Sequence, residues 1–409
     1  MANSIITLSA GDVTRKALSI LHNKLVFTKK VNRQYNDKFA RTGAKNGGVL
    51  DVRLPNEFTV RTGSTLAAQD VEERTTPVTV ATQMGVDVNF SSTELTLSLD
   101  DFGERILEPA MSRLAAEIDS TAIAAALPYI ANFENTTFGT APVLSDVLAA
   151  KAMLNQSGAP SDNRYLMTES LATNSIITAG YNIYNPADEI SRQYKTGMLG
   201  SIYGMEHYES ELTPTHTNGT RTDSTPVTDL SGWANGDTTI TISGWTADQT
   251  LLAGDVFTVA GVYAVNYETK TPYAKLKQFV CTTDTTLTGT SDAIPVGEKI
   301  YISGAHQNCY NSAWTDTSAA VVSVAAGGSG TADTSFVNSL FFHRDSFAFV
   351  TADLEMPQGV DFAARKVYDG ISMRIVRAYD ISSDKFPCRI DVLCGTSPLY
   401  NQWAGRMCS

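Results

Sequence analysis

The spacing of apolar residues changes period along the chain, and each change predicts an element. Ala17, Leu18, Leu21, Leu25 and Val26 recur at three and four residues, which predicts a helix over Thr14–Phe27 with Asp12 as its cap. From Val49 the pattern turns extended. Val49, Val52, Leu54, Phe58 and Val60 lead to the turn Arg61-Thr62-Gly63-Ser64, and Val78, Val80, Met84, Val86 and Val88 return. Two long arms with a polar tip and few core-sized residues predict a protruding hairpin over 49–88. Such a hairpin cannot bury itself and must lie on a neighbour. A short helix is expected over Phe102–Leu107, capped by Asp100 or Asp101. A longer one follows over Pro109–Leu127, with Met111, Leu114, Ala115, Ile118, Ala122, Ile123, Ala126 and Leu127 on one stripe. At a rise of ~1.5 Å per residue it is a rod of about 28 Å. Pro109 suits its first turn, and Pro128 ends it. Val143–Gln156 is amphipathic and closes at Gly158, Tyr165–Met167 reads as a strand, and Leu171–Ala179 reads as a helix.

Near Glu211 the composition shifts. From Thr213 to Thr334 the chain is rich in Thr, Gly, Ser and Asp and poor in helix formers. Short alternating runs at Thr239–Ile242, Val256–Val265, Gln278–Cys281, Lys299–Ile302 and Val321–Val324 are separated by turns, which predicts a small antiparallel barrel or sandwich. Ser-Gly-Trp occurs at 231–233 and again at 243–245 and reads as hairpin chemistry. Gly327-Gly328-Ser329-Gly330 reads as a hinge. Afterwards Leu340–Val350 reads as one buried strand, and alternation resumes at 371–375 and 389–392. The simplest architecture is an α+β body interrupted by an inserted β module.

The chain has 409 residues, 43% hydrophobic and 18% charged, and a net charge of −12. A disordered chain and a basic nucleic-acid reader are both excluded by these figures. The charge is unevenly spread. Residues 1–50 carry nine Lys/Arg against Asp12 and Asp37, a net of +7, while 211–340 carry five against twelve acids, a net of −7. The two ends of this dipole are expected to face different partners. No apolar run approaches the ~20 residues of a membrane span, so no membrane partner is expected. Met1–Ala10 lacks the basic start of a secretory leader, and Cys281, Cys309, Cys388, Cys394 and Cys408 show no CxxC pairing. Reduced, buried thiols in a cytoplasmic product are therefore expected. His22, His207, His216, His306 and His343 show no ligand spacing, and Glu104, Glu108 and Glu117 read as a solvated or interface face. Neither a nucleophile elbow nor a phosphate loop is found. The sequence thus predicts no enzyme, no cofactor and no metal, and instead a protein that contacts copies of itself.

Longer strings then carry a resemblance. Asp345–Leu354, Pro357–Arg365, Gly370–Arg377, Arg389–Gly395 and, in the module, Ala253–Asn266 strongly resemble coat proteins of Salmonella phage P-22-type viruses. Arg61-Thr62-Gly63 and Phe102-Gly103-Glu104-Arg105 are looser echoes. The resemblance covers most of the chain and is densest over 340–395. It implies the Hong Kong 97-type capsid fold, an α+β fold with an inserted antiparallel β-barrel. Mapped onto this sequence it implies an N-terminal arm at 1–48, an extended loop at 49–88 and a spine-helix domain at 89–140. An axial domain at 141–212, the inserted barrel at 213–335 and closing strands at 336–409 complete the map. It further implies a major capsid protein that forms pentamers and hexamers of an icosahedral shell around double-stranded DNA, in the virion. Assembly would take place in the host bacterial cytoplasm through a procapsid. Its partners would be a scaffolding protein, a portal protein and packaged DNA held by weak non-specific contact, with room for a decoration protein. Arg61, Glu72, Glu73 and Arg74 at the loop tip are expected to make intersubunit ion pairs. The N-terminal arm departs from the family in being unusually basic.

Two other readings stand beside this one. A secreted adhesin or carbohydrate-binding module would use Trp233, Trp245 and Trp314 as stacking platforms. A bacterial nanocompartment shell would enclose an enzyme, and the large insertion disfavours it.

Overall fold

The computed structural model describes residues 10–35, 49–56, 58, 60–61, 63–66, 68, 75–91, 107–134, 140–180, 200–221, 226–312, 314–323 and 333–408. In chain order these residues form helices α1 (Ala10–Lys24), α2 (Phe27–Lys30), α3 (Glu108–Ala126), α4 (Leu144–Gln156) and α5 (Ser170–Gly180). The first strands are β1 (Asn32–Tyr35), β2 (Val49–Arg53), β3 (Thr75–Thr79), β4 (Thr82–Ser91), β5 (Asn132–Glu134), β6 (Arg164–Thr168), β7 (Met205–Glu209) and β8 (Thr215–Thr217). Next come β9 (Asp237–Ser243), β10 (Val256–Val265), β11 (Pro272–Val280), β12 (Ser291–Ile300) and β13 (Ala319–Ser323). The last are β14 (Ser335–His343), β15 (Phe347–Ala352), β16 (Phe362–Tyr368), β17 (Ile371–Arg377), β18 (Lys385–Pro398) and β19 (Ala404–Cys408). The fold is mixed α+β. Contacts divide it into two units, one of Met1–Val52, Thr75–Ile123 and Phe347–Ser397, the other of Arg53–Arg74, Ala124–Ser346 and Pro398–Ser409.

The first unit is built on one sheet, in the order β1-β15-β18-β17-β16 with β4 also paired to β18. Cys388, Ile390, Val392 and Cys394 of β18 point inward, and so do Ile371, Met373 and Ile375 of β17, as their alternation predicts. β4 runs antiparallel to β18 over ten register pairs from Lys385↔Ser91 to Cys394↔Thr82. A Cβ at Gly85 would lie 2.6 Å from the Ile390 carbonyl, so only glycine lets β4 lie this close to β18. α1 buries Ala17, Leu18 and Leu21, its predicted stripe. It includes Ala10, so Asp12 lies inside the helix rather than capping it. α3 spans the expected rod, with Pro109 in its first turn and Pro128 in the 3-10 turn Leu127–Tyr129. Asp119, buried on α3, accepts the backbone N–H groups of Val26 (2.6 Å), Phe27 (3.3 Å) and Thr28 (2.9 Å) and the Thr28 hydroxyl (2.7 Å). These are the donors that the start of α2 leaves without intrahelical acceptors, so a residue ninety positions away caps that short helix. Burial pushes the Asp119 carboxyl above the ordinary carboxylate value, against the pull of those four donors.

The second unit holds a mixed sheet in the order β5-β19-β14-β6-β7, ending on the short strand Ser201–Ile202, with β8 also paired to β14. α4 and α5 supply Leu144, Val147, Met153, Leu154 and Ile176 to its core, which includes Leu166, Phe341 and Met407 of the sheet. A second, antiparallel set runs β11-β10-β13, then Val227–Thr228, then β9 and β12. Its outermost strands approach at one isolated bridge, Cys281↔Val296. It has its own core, which includes Ile240, Ile242, Phe257, Val259, Phe279 and Ile294.

Several expectations change in detail. Leu340–Val350 is two strands, β14 and β15, divided by the 3-10 turn Arg344–Ser346. The Ser346 hydroxyl donates to the His343 carbonyl (2.6 Å) and the Asp345 N–H to His343 Nδ1 (3.2 Å), which fixes the turn where the chain leaves one sheet for the other. Thr82–Ser91 is a strand of the first unit's sheet, so the free part of the predicted 49–88 hairpin is shorter than expected. Ser231-Gly232-Trp233 lies on a 3-10 turn capped by Asp229, not a hairpin. The helix over 102–107, apart from Leu107, and the Gly327–Gly330 hinge lie outside the described residues.

Candidate assembly surfaces

β2 and β3 pair with each other, and residues 54–74 lie between them in the chain. Among these, Phe58, Val60 and Leu66 are 60%, 94% and 81% exposed. Three large apolar side chains within nine residues form an uncovered strip in this subunit. Arg61 is exposed beside them, and its guanidinium donates to the carbonyl of Gly63. Gly63 has φ +104°, a conformation that favours glycine at this turn. Of the predicted ion-pairing residues only Arg61 is described, and Glu72, Glu73 and Arg74 lie outside the described residues.

A ladder of ion pairs crosses the sheet of the first unit. Arg389 Nε lies 3.0 Å from Asp87 Oδ1 on β4 and 3.9 Å from Asp391 Oδ1, and Arg374 Nη2 lies 2.6 Å from Asp391 Oδ2. Arg377 pairs with Asp361 at 2.7 Å and lies 5.4 Å from the Phe362 ring and 5.5 Å from that of Phe386. Exposed rungs such as Asp87–Arg389 contribute only ~0–1 kcal/mol each and fix register more than stability. At the end of this sheet the turn between β17 and β18 exposes Tyr379 and Ile381, the latter 86% exposed. Asp380 holds that turn by accepting from Ser382 N (3.0 Å), Ser382 Oγ (2.5 Å) and Ser383 Oγ (2.6 Å). Those three donors hold its carboxyl down at about 2. Sequence reasoning missed both features. Arg389 and Asp391 were visible as an alternating pair, but Asp87, some three hundred residues away, carried no local signal.

In the second unit, side chains join the β10–β12 set to the mixed sheet. The Gln278 amide donates to the Phe133 carbonyl (3.0 Å) and accepts the Phe133 N–H (2.9 Å), as a neighbouring strand would. Asn401 Nδ2 donates to the Gly297 carbonyl at 2.9 Å. Asp255, wholly buried, accepts from His216 Nε2 (2.9 Å), Gly219 N (3.1 Å) and Leu252 N (3.0 Å). Arg406 is wholly buried, donates to the Gly254 carbonyl and lies over the Phe133 ring at 5.4 Å. Burial brings its guanidinium down to about 10. Nearby, Lys277 Nζ sits 2.7 Å from Glu298 Oε2, and the Tyr267 hydroxyl donates to Glu298 Oε1 at 3.0 Å. Burial alone would lower the ammonium, but Glu298 and then Tyr267 outweigh it and push Lys277 up. A cavity of about 40 Å³ beside them is lined by Asn132, Ser157, Lys277, Gln278 and Asn401 among others. That is room for two or three waters, not for a substrate.

The remaining candidate chemistry resolves into packing. His207 accepts from or donates to Thr168 Oγ1 at 2.8 Å, and burial lowers its imidazole to about 4. All five cysteines are free and buried, and burial pushes the thiols of Cys281, Cys394 and Cys408 up to about 11 and Cys309 to about 12. Among the described residues no group of three His, Cys, Asp or Glu side chains could hold a metal ion. Trp233 and Trp245 are core residues at 8% and 5% exposure, and Trp314 packs against the same core, 5.9 Å from the Trp233 ring. They are not the open stacking platforms that a carbohydrate-binding module would need. No helix among the described residues is long and apolar enough to cross a membrane.

A family model described as P22 coat protein, gene protein 5, matches residues 9–406. No curated protein matches the chain. Among solved structures, a chain of Mycobacterium phage Che8 is 10% identical with TM-score 0.46, covering 94% of this chain and 90% of that one. The capsid of Cyanophage P-SCSP1u gives 10% identity, TM-score 0.42 and coverage of 94% and 88%. The mature capsid of bacteriophage PhiM1 gives 9%, 0.44, 94% and 86%. With TM-scores below 0.5 these likenesses carry no weight of their own, and the assignment stands on the family match. That match spans nearly the whole length, so the chain belongs to the P22 coat protein family and is a major capsid protein of a tailed bacteriophage, a self-assembling component of the virion.

Proposed function

We propose that several hundred copies of this chain close into an icosahedral shell of pentamers and hexamers around double-stranded DNA, through a scaffold-assisted procapsid assembled in the host cytoplasm. A portal takes one vertex, the outer face leaves room for a decoration protein, and the chain performs no catalysis. The fold is of the Hong Kong 97 type. The arm is 1–48, the extended loop 49–88, the spine domain 89–140 and the axial domain 141–212. The inserted barrel is 213–335, and 336–409 supplies closing strands. The two-ended antiparallel set with its own core supports the barrel, and the rod α3 supports the spine.

One observation carries this reading: Phe58, Val60 and Leu66, which follow β2 in the chain, are exposed. Large apolar side chains left in water at this density call for a cover, and for a coat protein the cover is a sister subunit. Arg61, Glu72, Glu73 and Arg74 would set the register of that contact by ion pairs. Many such weak contacts, repeated by symmetry, add up to a stable shell. The test is the double variant Val60→Asp/Leu66→Asp, expressed with its scaffold. It should leave soluble, folded subunits with an unchanged melting curve and abolish closed shells in electron micrographs. Normal shells from this variant would refute the role given to the loop.

A further inference from the structure

We propose that the antiparallel set of the second unit undocks from the mixed sheet as a folded body, so that the joint between them is a conformational device built into the subunit. The joint can be tested on the single subunit and does not depend on the shell reading. Its use does. In a shell of pentamers and hexamers one chain meets unlike neighbours, and a module that can leave its seat gives the same fold more than one shape.

The two sides have separate cores. That of the antiparallel set includes Ile240, Phe257 and Phe279, and that of the mixed sheet with its helices includes Leu166, Phe341 and Met407. No strand of one set pairs with a strand of the other among the described residues. Between the cores lies one small apolar cluster of Phe133, Val256, Val280, Phe336 and Cys408. The rest of the joint is polar. Gln278 holds both backbone groups of Phe133 (2.9 and 3.0 Å), and Asn401 Nδ2 donates to the Gly297 carbonyl (2.9 Å). His216 Nε2 meets Asp255 Oδ1 at 2.9 Å, and Lys275 pairs with Glu134 at 3.3 Å, both partly exposed. The cavity of about 40 Å³ beside Asn132, Gln278 and Asn401 has room for two or three waters. Interlocked side chains hold two bodies as one, whereas polar bonds beside water exchange partners readily.

Docking also leaves polar groups unmatched. Arg406 is wholly buried and donates through Nη2 to the Gly254 carbonyl, yet its Nε and Nη1 have no hydrogen-bond partner among the described residues. The same holds for Oδ1 of Asn218 and Oδ1 of Asn338, both buried side chains. Asn338 lies on the face of β14 that bears Phe336, and its register partner is Cys408 of the joint cluster. Asn218 directly precedes Gly219, whose N–H donates to Asp255 Oδ2 (3.1 Å). Four buried polar atoms thus give up water in the docked state and receive no bond in return. Native folds hold few such atoms, and a group of them at one joint is stored strain. Undocking returns water to that strained face while both cores stay closed, so the joint opens at a lower cost than either core melts.

The test is pulsed alkylation of the full-length subunit with N-ethylmaleimide, read by peptide mass spectrometry, at urea concentrations below the main unfolding transition. Cys408 sits in the joint, Cys281 and Cys309 sit in the core of the antiparallel set, and all three thiols are buried. Undocking exposes the first and spares the other two, so Cys408 should react faster by about tenfold or more. Gln278→Ala removes both bonds to Phe133 and should speed Cys408 by a further factor of about ten. Lys275→Ala removes only the partly exposed pair with Glu134 and should speed it about two- to threefold. Three thiols that react together, and only in the main transition, would mean that the joint does not open by itself and would overturn the proposal. Early reaction of Cys408 at a rate that neither variant changes would mean that strand β19 frays from its end, which also overturns it. The shell reading is judged separately, by micrographs of the wild type.

Discussion

Asp119 shows how much one side chain can organise. It reaches from α3 to three backbone donors and a hydroxyl at the start of α2, within 3.3 Å in every case. Asp119→Ala leaves those donors buried without an acceptor, and a loss of about 3 kcal/mol or more in urea unfolding is expected. Asp119→Asn keeps one acceptor and should recover part of it. His207 gives the fold an acid sensitivity. Its imidazole falls from the ordinary 6.5 to about 4 on folding, because burial disfavours the charged form. Above pH 6.5 neither state holds the proton and nothing is lost. As pH falls from 6.5 towards 4, the unfolded chain takes up a proton that the folded one refuses, so stability declines with acid. The decline is of order 2 kcal/mol once partial exposure is allowed for. His207→Gln should flatten that stretch of the stability–pH profile, and an unchanged profile would contradict the assignment.

At the scale of elements, periodicity revealed what local physics controls. The α3 rod and α4 lie close to where their apolar spacing put them, since each is an uninterrupted pattern closed by Pro128 or Gly158, and β10 keeps its predicted span although Gly261, at φ +80°, shifts its register within. The break between β14 and β15 was missed by reading one strand through it. Leu340–Val350 holds four consecutive polar residues, His343–Ser346, between two apolar runs, and that run of four marks the turn, which Ser346 and Asp345 hold by bonding back to His343. Spacing could not show that β4 belongs to the sheet of β18, because strand pairing across three hundred residues leaves no local mark. The surface features were equally hidden. Arg61 stood out by its turn, whereas Ile381 looked like any core isoleucine until the Asp380 turn placed it outside. The antiparallel set of the second unit has a core of its own, so residues 211–338 expressed alone should melt cooperatively with a β-type spectrum. A non-cooperative, unfolded product would contradict that boundary. In the intact chain, Gln278→Ala removes both bonds to Phe133 and should lower the melting temperature by several degrees.

For the whole molecule, the informative pattern is what the chain leaves unmatched. Its buried histidines, thiols and acids are paired or packed for stability, whereas Phe58, Val60, Leu66 and Ile381 lie in water. That distribution suits a protein whose ligand is another copy of itself, and the family match from residue 9 to 406 agrees. The sequence is itself polarised in charge, +7 over its first fifty residues and −7 over residues 211–340. The most direct measurement is electron microscopy of the purified chain, concentrated with and without the proposed scaffolding protein. Uniform closed icosahedral shells with scaffold, and aberrant or fewer shells without it, are the expected result. Particles that remain monomeric under both conditions, at every concentration reached, would contradict the account.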